Sequence, residues 1–112
     1  MVNADDLRRI ALSFPGAVEY PHFDRRGFKA RVTFVTLAAD GLSANFKFSH
    51  EEQQLKCAVA ADAFSPLPNA WGRNGWTEGR LSAMSESELR AALETAWRRS
   101  EEKTPRKRRI RR

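Results

Sequence analysis

Cysteine is almost missing from this chain. The single one, Cys57, excludes an intrachain disulfide and fits a reducing compartment. Set among Leu55, Ala58 and Val59, it reads as a small packed hydrophobe rather than a nucleophile. Histidine is nearly as scarce. His22 and His50 stand 28 residues apart, and neither has a second His or Cys at metal spacing. A phosphate-cradling glycine loop and a nucleophile elbow are both lacking. No apolar run approaches the roughly 20 residues that span a bilayer. The start, Met1-Val2-Asn3-Ala4-Asp5-Asp6, is acidic and polar, unlike a secretory signal. The protein is therefore expected to be cytoplasmic, free of membrane, and without catalysis, cofactor or metal.

What is present suffices for one folded unit. The 112 residues leave no room for a second core, and 41% hydrophobic content with three tryptophans supports a first. The net charge of +6 is unevenly spread. Residues 1–100 hold 13 Lys/Arg against 12 Asp/Glu, a balance of +1; residues 101–112 hold seven against two, a balance of +5. Residues 1–100 thus read as the domain and 101–112 as a disordered basic tail. A nucleic-acid binder needs clustered cations, so the whole-chain average says little.

Three helices are marked by period and capping chemistry. Leu7, Ile10, Ala11 and Phe14 form one stripe behind Asn3, with Pro15-Gly16 as the stop. Ser49 and Glu52 form a capping box ahead of Leu55, Ala58 and Val59. Ser85 and Glu88 do the same ahead of Leu89, Ala92, Leu93, Ala96 and Trp97. Between the first two the period falls to two. Phe28, Ala30, Val32 and Phe34 alternate with Lys29, Arg31, Thr33 and Val35, and predict one half-buried strand. Asp40-Gly41 predicts a type I′ hairpin turn into a second strand, Leu42 to Phe48. Shorter strands are expected over Val18–Phe23, turning through Asp24-Arg25-Arg26-Gly27, and over Trp76–Leu81. This order predicts an α+β fold, an antiparallel sheet with helices packed on one face.

The least generic stretch is 64–77, Phe-Ser-Pro-Leu-Pro-Asn-Ala-Trp-Gly-Arg-Asn-Gly-Trp-Thr. Two prolines and two glycines fix an unusual path for a loop whose Trp71 and Trp76 are expected to bury against the sheet or the last helix. Together with Leu12-Ser13-Phe14-Pro15-Gly16-Ala17, Glu19, His22-Phe23, Phe28 and Phe34-Val35-Thr36-Leu37, this stretch resembles the MmcQ/YjbR family. Gln53-Gln54-Leu55, Leu81 and Ala96-Trp97-Arg98 extend the resemblance, which covers about residues 5–99. It implies a CyaY-like, double-wing fold and a DNA-binding role, and it brings no catalytic residues. Frataxins of the wider fold bind iron on an acidic ridge. Here Asp5 and Asp6 are followed at once by Arg8 and Arg9, which argues against a hard-cation site.

Nucleic acid, duplex DNA in the first instance, is the expected partner, bound weakly and with little sequence choice through phosphates. Arg25 and Arg26 at a turn, Lys29, Arg31 and Lys47 on polar strand faces, and Arg73 in the Trp-rich loop are the domain candidates. Arg106, Lys107, Arg108, Arg109, Arg111 and Arg112 are the tail candidates, six cations in seven residues. The competing expectation is a small-ligand or protein-interaction module with its pocket under the Trp71–Trp76 loop. An enzyme would require Glu19, His22 and Arg73 to meet in one cleft.

Overall fold

Short-range exchange of hydrogen bonds starts three of the helices. The computed structural model, which describes residues 1–102, gives the order α1 (Ala4–Ala11), β1 (Val18–His22), β2 (Arg25–Lys29), β3 (Thr33–Leu37) and β4 (Ser43–Lys47). There follow α2 (His50–Val59), β5 (Phe64–Pro66), α3 (Ala70–Arg73), β6 (Trp76–Arg80), a 3-10 turn (Leu81–Ala83) and α4 (Glu86–Glu101). At α1 the Asn3 side chain accepts from Asp6 N–H and Asp6 accepts from Asn3 N–H, both at 3.0 Å. Ser49 with Glu52 and Ser85 with Glu88 repeat the arrangement at α2 and α4. Each box satisfies donors that the first helical turn would otherwise leave open.

The six strands form one antiparallel sheet in the order β1-β2-β3-β4-β6-β5. Cross-strand partners share a face, so the register sorts the side chains. Phe28 opposite Val35, Val35 opposite Phe46 and Phe46 opposite Thr77 define the covered face, all fully buried. Helices α1 and α4 pack there, bringing Leu7, Ile10, Leu89, Ala92, Leu93 and Ala96. Helix α2 lies against β5 at the sheet edge, and the one-turn α3 beside β6. Trp97 ties the Pro15 turn to α4: its indole N–H donates to Pro15 C=O at 3.1 Å and its ring stacks on Phe14 at 5.4 Å.

Several local expectations give way to longer-range contacts. The alternating run from Phe28 to Val35 is not one strand: it breaks at Ala30–Val32, where Ala30 N–H donates to Val32 C=O, and becomes β2 and β3. Arg25 and Arg26 consequently lie in β2, and the turn is Phe23–Asp24. The Asp40-Gly41 hairpin forms, but only Gly41 has positive φ (+74°), so it is not type I′. Phe14 lies past the end of α1. Helix α2 is rotated from the expected orientation, with Leu55 63% and Val59 76% exposed and Gln53 buried in their place. The Gln53 amide donates to Gly72 C=O at 2.9 Å and Trp76 C=O at 3.1 Å. Two carbonyls that need a donor outweigh an apolar stripe with nothing to pack on at the sheet edge. Cys57 is half-buried against the core, and burial pushes its thiol above the ordinary value.

Candidate nucleic-acid interface

The strand register puts Tyr20, His22, Arg25, Gly27, Lys29, Thr36, Asn45, Lys47, Trp76 and Glu78 on the face opposite α1 and α4. Tyr20 is laid flat over Gly27, where a Cβ would fall 2.5 Å from the ring, and its hydroxyl meets His22 Nδ1 at 3.1 Å and Thr33 Oγ1. Lys29 Nζ stands 5.1 Å from the Tyr20 ring centre, and Lys47 Nζ 5.9 Å from that of Trp76. These are cation–π distances, which hold ammonium groups against aromatic surface without neutralising them. Lys47 also donates to Asn74 C=O, and burial, helped by the Arg99 charge, lowers its ammonium below the ordinary value.

Arg25 is the most constrained cation of this face. Its Nε–H donates to Thr36 Oγ1 at 2.9 Å and its Nη2 to Thr36 C=O at 3.0 Å. Burial lowers its basicity, opposed only by the more distant charges of Asp24, Glu78 and Asp40. Beside it runs a cleft of about 190 Å³ that crosses the face from His22 and Arg25, over Thr36 and Asn45, to Trp76 and the loop's Trp71 and Leu67. The loop thus folds over the sheet as expected, but Trp71 is not core: it is 61% exposed. Among the described residues no second layer of helices lies beyond it to complete its burial. Phe23, 93% exposed and held at φ +58°, stands at the tip of the β1–β2 hairpin next to His22, ring centres 5.0 Å apart.

The other proposed cations are placed differently. Arg26 points to the helix side, where its Nε meets Glu19 Oε2 at 2.8 Å, with Arg8 Nε on the same carboxylate at 3.1 Å. Arg31, in the β2–β3 turn, donates to Glu102 C=O at 3.3 Å. Arg73 is exposed on α3 beside Trp71. The tail candidates Arg106, Lys107, Arg108, Arg109, Arg111 and Arg112 lie outside the described residues, as does most of the expected disordered tail. Glu19 and His22 lie on opposite faces of β1, so Glu19, His22 and Arg73 do not meet in one cleft. Thr36, Asn45 and Leu67 are not among the expected site residues, although Thr36 and Asn45 alternate with apolar neighbours, a pattern that assigns them to the second face.

The Glu19 cluster is structural and testable. Burial raises its carboxyl, but the hydrogen bonds and charges of Arg26 and Arg8 outweigh that, and its pKa lies below the ordinary value. A depressed folded-state pKa stabilises above the unfolded value and is lost as pH falls through the folded one. Glu19→Gln is expected to lose roughly 1–2 kcal/mol at pH 7, since both arginines are partly solvated. The difference from the parent should vanish in urea titrations below the pH at which Glu19 protonates. A constant difference down to pH 2–3 (about one unit or more under ordinary carboxylates) would remove the ionic explanation.

No helix among the described residues is long and apolar enough to cross a membrane. A family model described as YjbR matches residues 12–99. Among solved structures, the Deinococcus radiodurans protein DR2400, with domain DUF419, gives a TM-score of 0.71 at 18% identity, over 86% of this chain and 76% of that one. At that identity the likeness is one of fold. Comparison with curated proteins gives no match.

Proposed function

This chain belongs to the YjbR family, and from that premise we propose that it binds nucleic acid, weakly and with little sequence choice, on the open face of its sheet. The supporting observation is how the cations divide. Arg8, Arg9, Arg26, Arg90 and Arg98 are each within 4.0 Å of a carboxylate; among the described residues Arg31, Lys56, Arg73, Arg80 and Arg99 are not, and on the open face neither are Arg25, Lys29 and Lys47. Those three share one face with Tyr20 and Trp76, and Trp71 overhangs it. Unpaired cations release counterions when they meet phosphates, and aromatic faces accept bases of any sequence. Glu78 is the carboxylate on this face, which weakens the field locally and fits a weak binder. The basic residues from Arg106 to Arg112 would add non-specific attraction. We propose no catalysis, because Glu19, the carboxylate an acid–base reading would join to His22 and Arg73, is held by two arginines on the other side of the sheet. The cleft supports a second reading, a small-ligand module under the Trp71–Trp76 loop.

The test is anisotropy of a labelled oligonucleotide with the full chain across a salt series. Lys29→Ala is expected to flatten the slope of log K against log salt by roughly one unit. A companion variant with the six cations from Arg106 to Arg112 changed to glutamine isolates the tail. Should that variant abolish binding while Lys29→Ala and Lys47→Ala change neither affinity nor slope, the open face is not the interface.

A further inference from the structure

We propose that the cleft on the open face is a seat for one nucleotide, its planar base against Trp71 and Trp76 and its phosphate on Arg25. The inference deepens the nucleic-acid reading: within a strand, the occupant is an unstacked base of single-stranded nucleic acid rather than a base of a duplex. Size is the first argument. At about 190 Å³ the cleft is smaller than the roughly 300 Å³ at which sites for drug-sized ligands begin, so it suits one ring system.

Its walls are the second argument. Trp71 keeps most of its surface exposed at the mouth of the cleft, with Trp76 and Leu67 beside it. An apolar slot edged by indole rings offers stacking surface to a base, which has two π-faces of its own. The polar groups are the third. Thr36 uses two of the five N–H donors of Arg25, leaving three, and fixes the plane of the guanidinium. No carboxylate lies within 4.0 Å of it among the described residues, so a half-buried fork is left for an anion, the geometry that suits phosphate. Thr36 and Asn45 lie between the anion end and the aromatic end, where the hydrogen-bonding edge of a base would fall, while His22 lies beyond Arg25 at the far end of the cleft. A base stacked inside a duplex cannot enter such a slot without leaving its pair.

Phe23 completes the geometry. A bulky residue at φ +58° and 93% exposed is strained and solvated at once, and it stands at the His22 end of the cleft. Such strain is held where surrounding structure enforces it, often at ligand clamps. Here it presents a second ring for the neighbouring base.

The full chain would be titrated with a labelled ten-residue thymidine strand, with the same strand in duplex form, and with thymidine 5′-monophosphate as competitor. The single strand is expected to bind about tenfold tighter than the duplex. Trp71→Ala should remove about that factor, one stacked base's worth, leave the duplex unchanged, and be rescued by Trp71→Phe. Arg25→Gln should weaken both the strand and the monophosphate. Equal binding of strand and duplex, indifferent to Trp71, overturns the seat and leaves the wider reading standing. Binding of the monophosphate alone, dependent on Arg25, upholds the seat and removes the nucleic-acid reading. No binding of any probe overturns both. Because Trp71 is exposed, its replacement leaves the fold intact, which circular dichroism would verify.

Discussion

Phe46→Ala is expected to lower the unfolding free energy by about 3–5 kcal/mol. Phe46 is fully buried at the centre of the covered face. Its ring stacks on Phe48 at 5.8 Å and meets Phe64 edge-on at 5.8 Å, while Phe48 and Phe64 approach at 6.1 Å. The three rings join β4, the chain entering α2, and the edge strand β5. Truncation loses the transfer free energy of the ring, leaves a cavity under α4, and dissolves two aromatic pairs worth about 0.5–1.5 kcal/mol each. A protein of this size has about 5–15 kcal/mol in total, so at least about a fifth of it would go. Urea unfolding followed by tryptophan fluorescence and circular dichroism would measure it, with Phe46→Leu expected to lose less than half as much. A loss under about 1 kcal/mol, the typical point-mutant effect, would contradict the cluster.

Gly75→Ala is the second large effect, expected at about 3 kcal/mol. Gly75 sits at φ +100°, where an L side chain is strained by roughly 1–3 kcal/mol. Its Cβ would also fall 2.0 Å from Phe48 C=O, a backbone atom that cannot rotate away. The two segments are joined at that point: Phe48 N–H donates to Gly75 C=O at 3.2 Å, and buried Thr77 Oγ1 donates to the same oxygen at 3.0 Å. Relief therefore requires moving the end of β4 or the start of β6. Since Trp76 follows directly, the cleft should open and nucleotide affinity fall together with stability. Stability falling while nucleotide affinity held would mean that the 64–77 loop does not shape the site.

Both predictions involve residues whose importance was partly visible in the sequence. The alternation of Ala44, Phe46 and Phe48 marks a buried face without knowledge of what lies on it. The Gly-Arg-Asn-Gly-Trp run marks an unusual path, but nothing in it says that Phe48 crosses there. The candidate cations show the limit most clearly. Arg25 and Arg26 are neighbours of the same type, yet adjacent strand positions face opposite ways, and one meets Glu19 while the other meets Thr36. Helix α2 shows it again: Leu55, Ala58 and Val59 have a helical period, and periodicity cannot reveal that the neighbouring element is an edge strand.

The sequence by itself determined the helix starts, the apolar face of the sheet, the α+β class and the family, because those depend on residues two to four apart or on a pattern spread along the chain. Tertiary structure alone decided which cations are neutralised, how α2 is turned, and that a cleft opens beneath Trp71. Each of these depends on contacts between segments distant in sequence. Gln53 finds its acceptors 19 and 23 residues away, and Arg25 its anchor 11 away. Such pairings are chosen by competition among all buried polar groups at once, and only the folded chain resolves it.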